Sequence, residues 1–430
     1  MIRCVCFNII IQPLFLFVQM RRLLVHICVI SPADITDKTK WGGVLTHTKM
    51  LSNILVKEGN EVTLIAPADH LNKSHGKLIN NIHVVFMHGI GKVIVNHKWI
   101  KNVQETFNKI HEQKPIELVI SEGYCAYGLQ KKYTNLPIVS FVHNFSFIHF
   151  YNNWTEVGSI RSLLSYLLKT IPRLLFRIFR FEIPFYHSTN YTVSCSKLNA
   201  GYLRKIYQIP QHKLKIIQNW INTYHFYPNV SFRLECRQRL NIPDNVLVFL
   251  LVGSIWRPKG FHIAIQSFSK IVSRFSNAIL LICGSGREKE KEHLTELVQQ
   301  KGIDNKVRFL GEIEHSELPQ FYNMADIFLM PSLLSEGHAY TLIEAMACGL
   351  PSIATQLGGN IETIGDSGIL VPPGDVDALE QAMIELAQNP EKRKELSRLA
   401  RERVMQYFSE DVAIQKVSSL LTENFPDKIH

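Results

Sequence analysis

No Cys-x-x-Cys pair occurs in these 430 residues, although eight cysteines are present: Cys4, Cys6, Cys28, Cys125, Cys195, Cys236, Cys283 and Cys348. Scattered single thiols argue against a zinc ribbon or a dense disulfide scaffold and suit a reducing compartment. There is also no uninterrupted apolar run of the ~20 residues needed to cross a bilayer. Residues 4–20 come nearest, but Asn8, Gln12 and Pro13 interrupt them, and Arg21 and Arg22 follow in place of a small-residue cleavage site. Two readings of 1–19 stay open: an N-terminal extension without structure, or a membrane-contacting tail. LLVHICVI (23–30) already reads as a buried strand, so a domain starting at Met20 would be complete. No GxGxxG follows that strand, which argues against a nicotinamide oxidoreductase. The one Asp-x-Asp, Asp375-Val376-Asp377, follows Pro372-Pro373-Gly374 and reads as a helix N-cap with a favourable charge in the first turn.

What is present is globular. Apolar residues make up 46% and charged residues 20%, and the length fits two domains of about 200 residues each. Charge is unevenly shared. Residues 1–230 hold 26 Lys/Arg against 11 Asp/Glu, whereas 231–430 hold 21 against 26. A basic half joined to an acidic half implies that only the first meets an anionic partner, with nucleic acid and an anionic membrane as the candidates.

Short apolar runs alternate with helical patterns, the sign of βα units and parallel sheets. The first half offers strands at 23–30, 62–66, 82–87, 118–121, 138–142 and 191–194. The second offers 247–253, 278–283, 306–310, 327–330, 352–354 and 368–371, and closes with helices at 376–389, 391–407 and 409–423. The fold class is α/β, with two doubly wound Rossmann-like domains facing each other across a cleft. Asn222, Pro228, Asn229 and Pro243 interrupt regular structure in 219–245, where the join is expected. The expected parts are 1–19 as extension, 20–229 as the first domain, 230–405 as the second, and 406–430 as a helix crossing back to the first.

The chemistry-bearing segment is SEGHAYTLIEAMACG (335–349). Good helix formers run from about Ala339 to Cys348, and Gly349-Leu350-Pro351 ends the run. Glu336 therefore lies on the loop feeding a helix and Glu344 on the helix, about 10 Å apart along its axis. Between them the amides of His338, Ala339, Tyr340 and Thr341 have no intrahelical acceptor, and such donors at a helix N-terminus bind phosphate. Two carboxylates flanking a phosphate site suit a ligand with hydroxyls at both ends and a diphosphate between, such as a nucleotide-sugar. The plain alternative is an amphipathic helix with Glu344 on its wet face.

Here the chain resembles the retaining glycosyltransferases of family four, with the GT-B fold, from about Met20 to the C-terminus. EGHAYTLIEAMACGLPSIAT looks like the family's E-x7-E block, followed by the similar GGNIETIGDSGILVPPGD (358–375). AILLICGSG (278–286), VRFLGEI (307–313) and ADIFLMPS (325–332) match in the expected order, and IIQNWINTYHFYP (216–228) looks like the hinge segment. The resemblance implies that Glu336 lies at the donor sugar, Glu344 at the ribose, and the diphosphate on the amides of His338 to Thr341. Lys259, in GSIWRPKG (253–260), matches the lysine that neutralises the diphosphate as the leaving group gains charge. Ser254 stands where the family usually has Arg, with Arg257 placed to supply the missing charge; Trp220 stands where the hinge usually has Gly. Gly42 and Gly43 match a loop beside the donor phosphate and the acceptor. His143, at the end of a strand, matches a histidine near the sugar. Glu362 matches a position of uncertain role. Arg308 and Gly311 sit where the base is accommodated, and Gly284-Ser285-Gly286 reads as a strand-to-helix turn.

The implied activity is transfer of a sugar from a nucleotide-diphosphate-sugar to a hydroxyl acceptor, with retention at the anomeric carbon. Neither a cofactor nor a catalytic metal is expected, nor a nucleic-acid partner. The acceptor is expected to be lipid-linked or part of a cell-envelope glycan or exopolysaccharide, and the location cytoplasmic, including the inner face of the membrane. SIRSLLSYLLKTIPRLLFRIFR (159–180) places Lys169, Arg173, Arg177 and Arg180 on one arc and eight Leu or Ile residues on another, with a kink expected at Pro172. It reads either as a peripheral contact with anionic membrane or as a helix packed on its own lobe with a wet basic face. Competing functions are a GT-B relative such as a nucleotide-sugar epimerase or a phosphorylase, and a catalytically impaired glycan-binding protein, which Ser254 keeps open.

Overall fold

The computed structural model describes residues 25–35, 42–68, 76–87, 95–143, 145–146 and 166–426. The 1–19 segment, Trp41 and residues 159–165 lie outside them. The chain divides into two compact units, one of residues 1–140, 188–190 and 414–430, the other of 141–187 and 191–413.

In the first unit β1 (His26–Ile30), β2 (Glu61–Pro67), β3 (Gly76–Ile79), β4 (Ile82–Met87) and β5 (Leu118–Glu122) lie in the order β3-β4-β2-β1-β5. All neighbours are parallel except the edge pair β3–β4. Strands β1 and β5 are buried along their whole length, as the apolar runs require when helices cover both faces. Helices α1 (Gly43–Lys57) and α2 (His97–Gln113) supply that cover through Leu51, Ile54 and Leu55, and through Trp99, Val103 and Phe107. At the end of β5, Glu122 is buried and accepts from His47 Nδ1 at 2.8 Å and from Thr48 Oγ1 at 3.2 Å. The C-terminal residues from Ile414 belong to this unit, where Ser418 Oγ donates to Glu58 at 2.7 Å.

The second unit contains β7 (Tyr191–Ser194) paired in parallel with β8 (Leu214–Ile216), both following β6 (Ile138–Val142) along the chain. Its larger sheet has six parallel strands: β9 (Leu247–Val252), β10 (Ala278–Cys283), β11 (Val307–Gly311), β12 (Ile327–Met330), β13 (Ser352–Thr355) and β14 (Ile369–Val371). Their order is β11-β10-β9-β12-β13-β14. Phe249, Leu251, Leu280, Ile282, Ile327, Leu329 and Ile353 pack with Ile265, Phe268, Met383 and Leu386 as its core. The last stretches form helices Val376–Gln388, Pro390–Tyr407 and Glu410–Asn424, and Asp375 caps the first by accepting from Ala378 N. Two expected features differ. Strands β3 and β8 have no apolar run to announce them, and Pro172 sits in the first turn of a helix (Ile171–Arg177) flanked by π-helical turns at 166–170 and 178–182.

The apolar arc of that helical stretch is split. Leu174 and Ile178 are buried, whereas Leu168, Phe176 and Phe179 are 73%, 62% and 67% exposed beside exposed Lys169, Arg173 and Arg180.

Candidate active site

In a parallel sheet the loops after the strands gather at one edge, and that edge is where α/β proteins bind ligands. Strand β12 pairs with β9 on one side and β13 on the other, so loops 253–260, 331–339 and 356–359 are neighbours by topology. They are tied by backbone bonds: Leu333 N to Pro258 O at 2.7 Å, and Gly359 N to Glu336 O at 2.7 Å. Thr355 Oγ1 adds a bond to Ser332 O at 2.7 Å.

This convergence brings Lys259 and Glu336 into contact, Nζ to Oε1 at 2.7 Å. Ser332 Oγ donates to the same oxygen at 3.0 Å. Ser332 escapes sequence reasoning; its only signal is its place at the end of ADIFLMPS, four residues before Glu336. Gly337 fits because it lacks a side chain: a Cβ there would lie 2.6 Å from His143 O and 2.7 Å from Cys195 Sγ. The His143 backbone thus borders the Glu336 loop, its carbonyl also accepting from Asn199 Nδ2 at 3.1 Å. Glu362 accepts from Lys197 N at 2.8 Å and Gln218 Nε2 at 3.0 Å, a structural tether for the segment after Gly358-Gly359.

Four residues past Glu336 a helix begins, Tyr340–Ala347, with Ala339 as N-cap and Gly349 in the left-handed conformation beyond its end. An alanine methyl accepts no hydrogen bond, so no side chain caps the first-turn amides, in contrast to the Asn, Ser and Asp caps at Asn96, Ser196, Asn229, Asp375 and Asn389. The preceding His338 is buried, its ring 4.8 Å from that of Phe408 and its carbonyl accepting from Asn219 Nδ2 at 2.7 Å. Tyr340 is buried and Thr341 half-buried.

Glu344 is buried, and its oxygens are held by His315 Nε2 at 2.7 Å and Tyr322 OH at 2.8 Å. The Arg308 guanidinium donates to Leu240 O at 2.8 Å, closing the C-terminal end of helix Val230–Arg239. Ser254 is exposed. Arg257 opens the short turn that ends at Lys259 and lines a small hollow with His262, Glu290 and His293. Gly42 and Gly43 start α1 in the first compact unit. Trp220, in place of the hinge glycine, is fully buried.

Burial pushes the His262 imidazole down to about 4, aided by Arg257 and His293. The unfolded chain then takes up a proton near pH 6.5 that the native chain refuses until about pH 4. Stability is accordingly expected to fall as pH is lowered through that window. In His262→Gln the loss should be shallower, as read from urea midpoints at pH 7 and pH 5.

Residues 41–225 match the model of Glycosyltransferase Family 4, and residues 232–403 match that of Glycosyl transferases group 1. The two matches follow one another along the chain, one glycosyltransferase domain model in each half. An uncharacterized glycosyltransferase of Methanocaldococcus jannaschii is 27% identical over 350 residues, 79% of this chain and 83% of that one. The D-inositol 3-phosphate glycosyltransferase of Corynebacterium urealyticum is 31% identical over 220 residues, 49% of this chain and 51% of that relative. Among solved structures, sucrose-phosphate synthase from Thermosynechococcus elongatus superposes with a TM-score of 0.78 at 22% identity, over 94% of this chain and 100% of that one. Anabaena HepE in complex with UDP gives a TM-score of 0.70 at 17% identity, over 93% and 100%. The GT-B fold expected from the sequence is therefore the observed one, and the named relatives are glycosyltransferases.

Proposed function

We propose that this glycosyltransferase moves a hexose from a nucleotide-diphosphate-sugar to a hydroxyl acceptor with retention at the anomeric carbon, in the synthesis of a cell-envelope glycan or exopolysaccharide. Residues 20–229 form the acceptor side and 230–405 the donor side. The observation that carries the reading is the Lys259–Glu336 pair placed just before a helix start that no side chain caps. The lysine and the helix end offer positive charge where the departing diphosphate gains negative charge. Glu336, held by Lys259 and Ser332, accepts from donor sugar hydroxyls and fixes the ring. The acceptor oxygen bonds to the anomeric carbon on the face from which the phosphate departs. The bond to the phosphate oxygen breaks, and that oxygen takes the acceptor proton. HepE, crystallised with UDP and with UDP-glucose, supports this donor class.

The exposed Leu168, Phe176 and Phe179 among exposed Lys169, Arg173 and Arg180 support an anionic membrane surface as the place where a lipid-linked acceptor is met, on the cytoplasmic side. Differential scanning fluorimetry against a nucleotide-sugar panel tests the donor. One diphosphate sugar is expected to stabilise the protein by about 2.7 kcal/mol at a hundredfold excess over Kd. Stabilisation by NAD and by no nucleotide-sugar would contradict the reading. Binding of one sugar donor without turnover would favour the glycan-binding alternative. In the same preparation, flotation with phosphatidylglycerol vesicles but not phosphatidylcholine vesicles is expected, and flotation with neither would remove the membrane contact.

A further inference from the structure

The loops after β9 and β10 touch. Ile255 N donates to Ser285 O at 2.8 Å, and a Cβ on Gly286 would lie 2.1 Å from Ile255 O, an approach that glycine alone permits. The turn Arg257–Lys259 is thereby set beside the first turns of helix Glu288–Gln300. Between that helix and the start of helix Phe261–Ile271 lies a hollow of about 220 Å³, open to solvent. Buried Phe261 and Leu294 form its apolar part, and Glu290 and His293, three apart on one helix face, line one wall. Two observations set it apart. Among the described residues, no hydrogen-bond or ion-pair partner meets the side chains of Arg257, His262, Glu290 or His293, although His262 is only 8% exposed. Polar groups so deep ordinarily have a partner. Of the described tryptophans, Trp99 and Trp220 are buried, whereas Trp256, at the mouth of the hollow, is 40% exposed.

Charge and hydrogen-bonding type select the ligand. An anion would meet Arg257 and Glu290 together, and their charges offset each other. Burial, with Arg257 and His293 nearby, holds the His262 imidazole neutral at pH 7. A hydrocarbon would leave four polar groups unsatisfied. The guanidinium only donates, the carboxylate only accepts, and a neutral imidazole does both, which matches a ring bearing several hydroxyls. The electron-rich face of the indole suits the polarised C–H face of such a ring.

We propose that this hollow is a second carbohydrate site, in which a neutral pyranose unit of a glycan lies with its C–H face on Trp256 and its hydroxyls on Arg257, His262, Glu290 and His293. It goes beyond the donor reading and does not depend on it, since no phosphate takes part and neither Lys259 nor Glu336 lines the hollow. Where sugar transfer holds, such a site retains the growing chain near Lys259, which ends the turn that Arg257 begins.

The test is titration of the full chain with neutral trisaccharides of glucose, of mannose and of galactose, and with inorganic phosphate, read by calorimetry and by tryptophan fluorescence. At least one trisaccharide is expected to bind and to shift the emission to shorter wavelength, because the indole loses water. Trp256→Ala is expected to abolish the shift. Glu290→Ala, on a partly exposed helix face where little packing is lost, is expected to weaken binding by about 10- to 100-fold, since hydrogen bonds to charged groups are the strong kind. Glu336→Ala is expected to bind the trisaccharide as wild type does. No binding by any of the trisaccharides, or binding undiminished in both Trp256→Ala and Glu290→Ala, would overturn the proposal. Phosphate binding with the trisaccharides silent would make the hollow an anion site and overturn it too. Loss in Glu336→Ala with retention in Trp256→Ala would put the saccharide at the donor site, again against the proposal. Stabilisation by a nucleotide-sugar is expected to persist in Trp256→Ala and Glu290→Ala, so failure here leaves the donor reading standing.

Discussion

Glu336→Ala is expected to lower kcat for sugar transfer by about 10²- to 10³-fold, with the melting temperature nearly unchanged. The magnitude follows from what the carboxylate does in the proposed mechanism. It is no nucleophile; it holds the donor ring so that the anomeric carbon faces the acceptor while the diphosphate departs. Loss of such a contact is felt most when the sugar flattens and gains positive charge, so kcat falls more than donor affinity. The melting temperature is spared because the Lys259–Glu336 pair is partly solvated, and pairs of that kind contribute little to stability. Lys259→Ala should produce a loss of similar size with a different signature. It removes the cation facing the diphosphate, so donor KM rises as well. Steady-state kinetics on both variants checks the pair, and wild-type rates in either would mean the site lies elsewhere.

The largest stability effect is expected at Asp326, remote from the chemistry. Its Oδ1 accepts from Arg233 at 2.8 Å, and its Oδ2 accepts from Arg237 at 2.8 Å and from Val248 N at 2.8 Å. Arg237 is 1% exposed and also donates to the carbonyls of Met324, Pro243 and Val246, so it cannot turn to solvent when its counter-ion is removed. An uncompensated buried guanidinium costs about 3–5 kcal/mol, which is the destabilisation expected for Asp326→Ala. Arg233→Ala is the control. That side chain is 31% exposed, Asp326 keeps its other partners, and a loss of about 1 kcal/mol is expected. Urea unfolding followed by tryptophan fluorescence separates the two, and equal losses would mean that burial of Arg237 is not what makes the site costly.

Strands such as Ile138–Val142, Ala278–Cys283 and Ile327–Met330 were legible from their apolar runs because both faces of a parallel sheet are covered. Gly76–Ile79 was not, because an exposed edge strand selects no apolar pattern. The helix at 340–347 was legible from its stop signal, since Gly349 takes a positive φ that few other residues tolerate. Glu336 and Lys259 were legible as residues; that Ser332 and the His143 carbonyl would border them depends on strand order, which no local pattern encodes. The partner of Arg308 was not legible: its guanidinium donates to the helix-end carbonyl of Leu240, a contact set by tertiary packing. The basic-apolar segment was read as two clean arcs, but within the apolar arc Leu174 and Ile178 turn inward where Leu168 and Leu175 turn outward, because π-helical turns shift the side-chain phase.

In the proposed reaction a diphosphate is recognised by a helix start that no side chain caps and by one lysine. The most direct measurement compares a nucleoside diphosphate with the matching nucleoside monophosphate by titration calorimetry, in wild type and Lys259→Ala. Wild type should bind the diphosphate at least ~10-fold more tightly, as a charge-assisted contact requires, and the preference should vanish in the variant. Equal affinity for both nucleotides in wild type, or an undiminished preference without Lys259, would contradict it.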